Sequence, residues 1–315
     1  MIFIGIDLGG TKIAGALFDK NGNILNEAYT LLEGSKGKEV GGQITELCNT
    51  LLQNREIPEG EEISIGVSVP GIAYSKTGLV WAPNIPGWDM YPLRDELAGK
   101  FPGAKITIES DRTCYILGEA LLGAAKGCEN AIFLAVGTGI GAGILIDGRI
   151  LHGTSDIVGA TGWMALKPPY TKEYDACGCF ESHASGNGIA SMAVKKLSAI
   201  HGYSGILSGI PAENITAREI FQAYDEDDPI AKEVIEEAVE MWGMAAANFV
   251  SLFNPEIIIF GGGVFGPAVK FIDRIYEEAL KWAQPLSIKQ CRFTASALGS
   301  RAGLFGAGSI ALKNI

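Results

Sequence analysis

Asp111 closes, with Ser110, a strand read from Lys105 to Glu109, and stands ahead of a helical pattern from Arg112 to Ala125 that Gly127 closes. A carboxylate at such a strand end can orient and deprotonate an attacking hydroxyl, and it can also cap the next helix. Two glycine-rich turns offer complementary chemistry: Ile4-Gly5-Ile6-Asp7-Leu8-Gly9-Gly10-Thr11-Lys12, and Phe133-Leu134-Ala135-Val136-Gly137-Thr138-Gly139-Ile140-Gly141. Gly9 and Gly10 let a backbone approach a phosphate with no Cβ in the way, and Thr11 and Lys12 can donate to it. Gly137, Thr138 and Gly139 repeat the arrangement. Gly261, Gly262 and Gly263 come after a third apolar run, Glu256 to Phe260, and can bring backbone against a flat, bulky ligand.

The element after each glycine turn decides the kind of fold. A dinucleotide fold needs a helix opening directly after the glycines. Here each turn leads instead into a second strand, Ile13 to Phe18 or Ile144 to Ile146, and then to Asn21-Gly22 or Asp147-Gly148. Both dipeptides predict a type I′ hairpin turn with φ > 0 at its two central residues. The device of strand, glycine loop, strand and turn is therefore written twice. Val40, Ile44, Leu47 and Leu51 recur at helical spacing after the first copy. Asp228-Pro229 opens a long helix to about Phe253, and further helices are expected from Pro267 to Ala283 and from about Arg301. His152 to Tyr174 reads as a long irregular segment.

Composition bounds the function. The 315 residues, 47% of them hydrophobic, suffice for two domains with cores. A net charge of -11 argues against nucleic acid and anionic membrane as partners, which require clustered Lys and Arg. The apolar stretch Ala131 to Ile146 is too short and too glycine-broken to span a bilayer. Six cysteines without a paired spacing, and a first strand beginning at Ile2 with no leader before it, predict a reduced, cytoplasmic protein.

Taken together, Asp7 to Lys12, Pro83-Asn84-Ile85-Pro86-Gly87-Trp88, Glu109-Ser110-Asp111, Gly137 to Gly143, Gly178-Cys179-Phe180-Glu181 and Gly261 to Val264 resemble the ROK family of sugar kinases and repressors. That family sits in the actin-like ATPase superfamily with hexokinase and Hsp70. The resemblance implies an α/β fold of two actin-like ATPase (ribonuclease H-like) domains around a cleft. The expected division is 1–115, joined by the helix at about 300–315, and 116–299. It also implies ATP-dependent phosphorylation of a hexose, amino sugar or related polyol, with Asp111 as general base and Asp7 holding Mg²⁺ through water. Gly9, Gly10, Thr11, Lys12, Gly137, Thr138 and Gly139 would cradle phosphates, and Gly262 and Gly263 would meet the adenosine. Relatives of this kind are often homodimers or homotetramers. A sugar sensor without catalysis is the alternative, since the family includes repressors, and a nucleotide-binding protein that no longer turns over is another.

The chain also departs from the family. Family members carry Gly-Glu-x-Gly-His after the second hairpin, where this chain reads Ala160-Thr161-Gly162-Trp163, with Thr161 and Trp163 taken to replace the sugar-binding Glu and His. Ser110 replaces an Asn. Asn84, Ser110, Asp111, Thr161, Trp163 and Glu181 are the expected acceptor-binding residues. Trp163 either stacks on a sugar or cyclitol ring or fills the volume of the family's zinc module. Of the zinc cysteines only Cys179 keeps its place. Cys177, Cys179 and His183 make an incomplete set for a tetrahedral site, so no zinc is expected.

Overall fold

The computed structural model describes residues 1–53 and 61–313, so the last two residues of the expected C-terminal helix lie outside it. Contacts divide the chain into two compact units, one of Met1–Gly127, Ile150–Val158 and Ala297–Ile315, the other of Cys128–Arg149 and Gly159–Ser296.

In the first unit, β1 (Ile2–Leu8), β2 (Lys12–Phe18) and β3 (Ile24–Leu31) form an antiparallel meander. After α1 (Lys38–Leu52), β4 (Ile63–Val69) joins β1 in parallel. A small ribbon, β5 (Ile72–Ala73) with β6 (Val80–Trp81), and α2 (Leu93–Lys100) precede β7 (Lys105–Ser110), which pairs in parallel with β4. The sheet order is β3-β2-β1-β4-β7. The helix α3 (Asp111–Leu122) starts where β7 stops. Val40, Ile44, Leu47 and Leu51 of α1 are buried, as their helical spacing requires.

The turn after β2 differs from expectation. Gly22 has φ +85 but Asn21 is not in the left-handed region, so the turn is not type I′. Asp19 is the reason: its Oδ1 accepts from the N–H groups of Asn21 and Asn23 at 2.8 and 2.9 Å, and its carbonyl accepts from Gly22 N at 3.0 Å. Those bonds favour a type I turn with a left-handed glycine after it.

The second unit repeats the plan. β8 (Ala131–Val136), β9 (Ile140–Ile146) and β10 (Arg149–Ile150) come first, and here both Asp147 (φ 51) and Gly148 (φ 70) adopt the conformation of a type I′ turn. Four helices come next: α4 (Cys179–Ala184), α5 (Gly186–Ala199), α6 (Ala217–Asp225) and α7 (Pro229–Phe253). Asp228 caps α7 as expected, its Oδ1 accepting from Ile230 N and Ala231 N, each at 3.0 Å. Buried β11 (Ile257–Gly261) lies parallel to β8. Beyond it, Pro267–Phe271 is 3₁₀ and only Ile272–Trp282, α8, is α-helical, where one continuous helix is predicted. With β12 (Arg292–Ala295) the order is β10-β9-β8-β11-β12, the first unit's order again.

The chain then returns to the first unit as α9 (Ala302–Lys313), packed across α3 and the sheet. Gly306 is essential there, because a Cβ on it would come 1.9 Å from the Cys114 carbonyl oxygen. Among the described residues no helix is long and apolar enough to cross a membrane.

Candidate active site

Within the first unit, the sheet brings Asp7 and Asp111 to the same end. Asp7 pairs with Ser68 and Ser68 with Glu109, so Asp111 lies two residues beyond this row. Asp111 is the first residue of α3, one later than the position a capping residue would hold. Its Oδ1 accepts from the N–H of Arg112 at 2.7 Å, and the Tyr115 hydroxyl lies 3.4 Å from Oδ2. Burial raises the Asp111 pKa, while the Arg112 charge and N–H and the Tyr115 hydroxyl act against that rise. The guanidinium of Arg112 is held by three carbonyls, Val158 at 3.0 Å and Gly71 and Asp156 at 3.4 Å.

Asp7 is pushed up to about 6, first by burial and also by the charge of Asp111; the Ser68 hydroxyl and Lys12 oppose it. The two carboxylates therefore sense each other. Gly303 of α9 makes room for Asp7: a Cβ there would meet both carboxylate oxygens at 2.5–2.6 Å. Sequence reasoning missed this glycine. The first loop is closed by Gly9 N donating to Lys12 O at 3.0 Å and fastened to the next segment by Leu32 N donating to Thr11 O at 2.9 Å. Gly10, Thr11 and Lys12 remain exposed, as a phosphate-contacting loop requires.

Ser110 is buried, its Oγ 3.0 Å from Thr113 Oγ1. Asn84 is exposed on a segment anchored by Trp88, which stacks on Tyr91 at 4.5 Å and donates from Nε1 to Gly37 O at 3.0 Å. The anchoring explains the aromatic residue in that motif.

The second unit contributes a cavity of about 950 Å³ that includes Gly137, Thr138 and Gly263. Gly262 shapes the adjoining turn: it has φ +90, and a Cβ on it would lie 2.4 Å from Val136 O. Gly139 sits outside the cavity's lining, against the Glu181 carboxylate. Two further elements line the cavity that sequence reasoning missed. The first turn of α5 donates from Gly186 N to Gly137 O at 2.8 Å, and Arg218 and Phe221 line the cavity from α6. Both helices had readable starts. Ser185 accepts from Gly188 N, and Thr216 and Glu219 form a capping box. A helix N-terminus beside a glycine loop is a favourable place for anionic oxygens.

Also within the second unit, Glu181 ties the loop to α4. Its Oε2 accepts from Ile140 N at 2.6 Å; burial raises its pKa and that N–H holds it back. Thr161 is buried, and its Oγ1 has no hydrogen-bond partner among the described residues. Gly159 (φ +91) and Gly162, where a Cβ would strike Glu181 at 2.8 Å, hold the two glycine positions of Gly-Glu-x-Gly-His. The Glu position accordingly falls on exposed Ala160 rather than on Thr161, and Trp163 occupies the His position. Trp163 does not pack inward, being 57% exposed.

Cys177, Cys179 and His183 are engaged otherwise. Cys177 Sγ lies 3.3 Å from Ser182 Oγ, and Cys179 Sγ lies 3.7 Å from Lys167 O. His183 is buried between the Tyr174 hydroxyl at 3.0 Å and Glu237 at 2.9 Å. Among the described residues no group of three His, Cys, Asp or Glu side chains is arranged to hold a metal, and this donor set does not fit tetrahedral zinc.

The chain matches the ROK family over residues 3–314. It is 32% identical to a glucokinase of Thermotoga maritima over 99% of this chain and 98% of that one. A crystal structure of a ROK family glucokinase from Streptomyces griseus in complex with glucose and AMPPNP superposes with a TM-score of 0.77 at 27% identity, covering 98% and 99% of the two chains. A ROK hexokinase from Thermus thermophilus gives 0.80 at 28% identity, over 98% and 97%.

Proposed function

Since this chain belongs to the ROK family, we propose that it is an ATP-dependent sugar kinase, moving the γ-phosphoryl group of ATP to a hydroxyl of a hexose, amino sugar or related polyol. The observation that carries the reading is Asp111, partly buried at the start of α3, with Asp7 close enough to sense its charge and an exposed glycine loop between the strands beside it. Asp111 accepts the proton of the attacking hydroxyl, and the Arg112 charge opposes the rise in its pKa that burial causes.

Asp7 suits Mg²⁺, which keeps several waters and uses one or two carboxylates together with substrate phosphates. Bound there, the ion would neutralise charge on the phosphates. Within the first unit, Gly9, Gly10, Thr11 and Lys12 are assigned to phosphate binding. Within the second unit, Gly137, Thr138 and Gly139 are likewise assigned to phosphate binding, and the cavity beside the Gly262-Gly263 turn to the adenosine. Asn84 and Ser110 within the first unit, and Trp163 and Glu181 within the second, are assigned to acceptor binding; Thr161, buried and displaced from the Glu position, is not. Relatives named as glucokinases support a hexose as the acceptor class.

The test is turnover in Asp111→Asn. Phosphorylation of glucose, monitored by coupled ADP release, should fall roughly 10²–10⁴-fold, while AMPPNP binding measured by calorimetry stays close to wild type. Turnover near the wild-type rate would overturn the assignment.

A further inference from the structure

Trp163 opens onto a second cavity in its own unit, of about 660 Å³, which shares no lining residue with the one beside the glycine loop. Its walls are aromatic and its rim is charged. Trp163 and Tyr170 are 57% and 70% exposed, Tyr174 stands edge-on to Tyr170 at 6.3 Å, and Lys167 and Asp175 line the same space.

The two tyrosine rings are held rather than loose. Tyr170 is hydrogen-bonded to Asp175, and Tyr174 to His183 at 3.0 Å, with Glu237 fixing both His183 and Lys167 from behind. Gly178 (φ +85) lets the backbone of Trp163 lie against it; a Cβ there would come within 2.4 Å of Trp163 Cα. A wall pinned in advance loses little freedom when a ligand arrives. Free indole and phenol faces, with polar groups only at the edge, match a pyranose ring, which offers C–H bonds on its flat face and hydroxyls around its rim.

The cavity also adjoins the acceptor residues. Gly178 touches Gly162 as well as Trp163, and Gly162 rests against Glu181. We propose that this cavity is a subsite for a second sugar ring, so that a disaccharide or glycoside is a better acceptor than a free monosaccharide. The proposal rests on the kinase reading for its catalysis, but its binding claim is independent.

The experiment compares kcat/KM for glucose with that for cellobiose, maltose and phenyl glucosides, in the wild type and in Tyr170→Ala and Trp163→Ala. Binding of thiocellobiose to each protein is measured separately by calorimetry, and near-UV circular dichroism confirms that the variants are folded. The expected result is a wild-type preference for at least one two-ring acceptor, a ratio to glucose that falls about tenfold or more in both variants, and thiocellobiose binding that weakens with it. Preference for glucose with a ratio unmoved by either substitution would overturn the subsite. Binding of thiocellobiose that depends on Tyr170 and Trp163, without phosphorylation of any acceptor, would uphold the subsite and overturn the kinase reading.

Discussion

Asp7 and Asp111 share a problem of charge, and its sign can be traced with pH. A carboxyl raised on folding from 3.8 to about 6 favours the folded state fully below the lower value, and that contribution is lost as pH rises through the upper one. Above it, the ionised Asp7 costs the fold on the order of 2–3 kcal/mol. Asp7→Asn, neutral throughout, should therefore unfold at a higher temperature than wild type at pH 8, with the advantage gone by about pH 4. Scanning calorimetry across that range checks it; a difference constant with pH would locate the effect in packing rather than charge. Arg112 opposes the rise at Asp111. Arg112→Met should move the acid limb of kcat/KM to higher pH, whereas Arg112→Lys should leave it near the wild-type position, and a pH–rate profile of each separates charge from the loss of the three carbonyl contacts. At this scale Asp111 and Asp7 were legible because a carboxylate ending an apolar run is conspicuous. Gly303 was not, since its reason is a carboxylate nearly three hundred residues away in sequence.

Elements were legible where they carry their own punctuation. Asp228-Pro229 announces α7 and Asp147-Gly148 its turn, while Asn21-Gly22 misled because Asp19 offers the backbone a competing set of acceptors. The packing of α9 on α3 is a different matter. Glu119 of α3, fully buried, accepts from the N–H groups of Ala297 and Leu298 at 3.3 and 3.1 Å, so the segment leading into α9 is hydrogen-bonded to α3 as well as closely packed on it. Gly306→Ala tests that approach. Helix propensity favours alanine by about 1 kcal/mol, but a Cβ placed 1.9 Å from a carbonyl oxygen must displace a helix. Overpacking typically costs about 1–3 kcal/mol and occasionally more. Net destabilisation is expected in urea unfolding, together with weaker turnover, because α9 also carries Gly303 against Asp7. A more stable Gly306→Ala variant would show that the contact yields freely.

For the molecule as a whole, the doubled device of strand, glycine loop, strand and turn gave away the repetition, and both units do use one strand order. The pattern could not reveal the partners of the sheet faces. Local periodicity says that a helix has a buried side, and only the folded chain says that α9 closes a unit begun at Ile2. The acceptor side was the least legible part, since its residues lie in irregular segments where no period constrains them.

That late closure bears on how the protein is made. The helix α9 begins at Ala302 and packs on α3, which begins at Asp111. At about 5–20 residues per second, the ribosome takes on the order of 10–40 s to cover the interval. Throughout that time one face of the first sheet has been synthesised without its cover, while the second unit, a single continuous stretch apart from Ile150–Val158, can complete itself. The nascent chain therefore exposes an apolar surface for many seconds before α9 emerges.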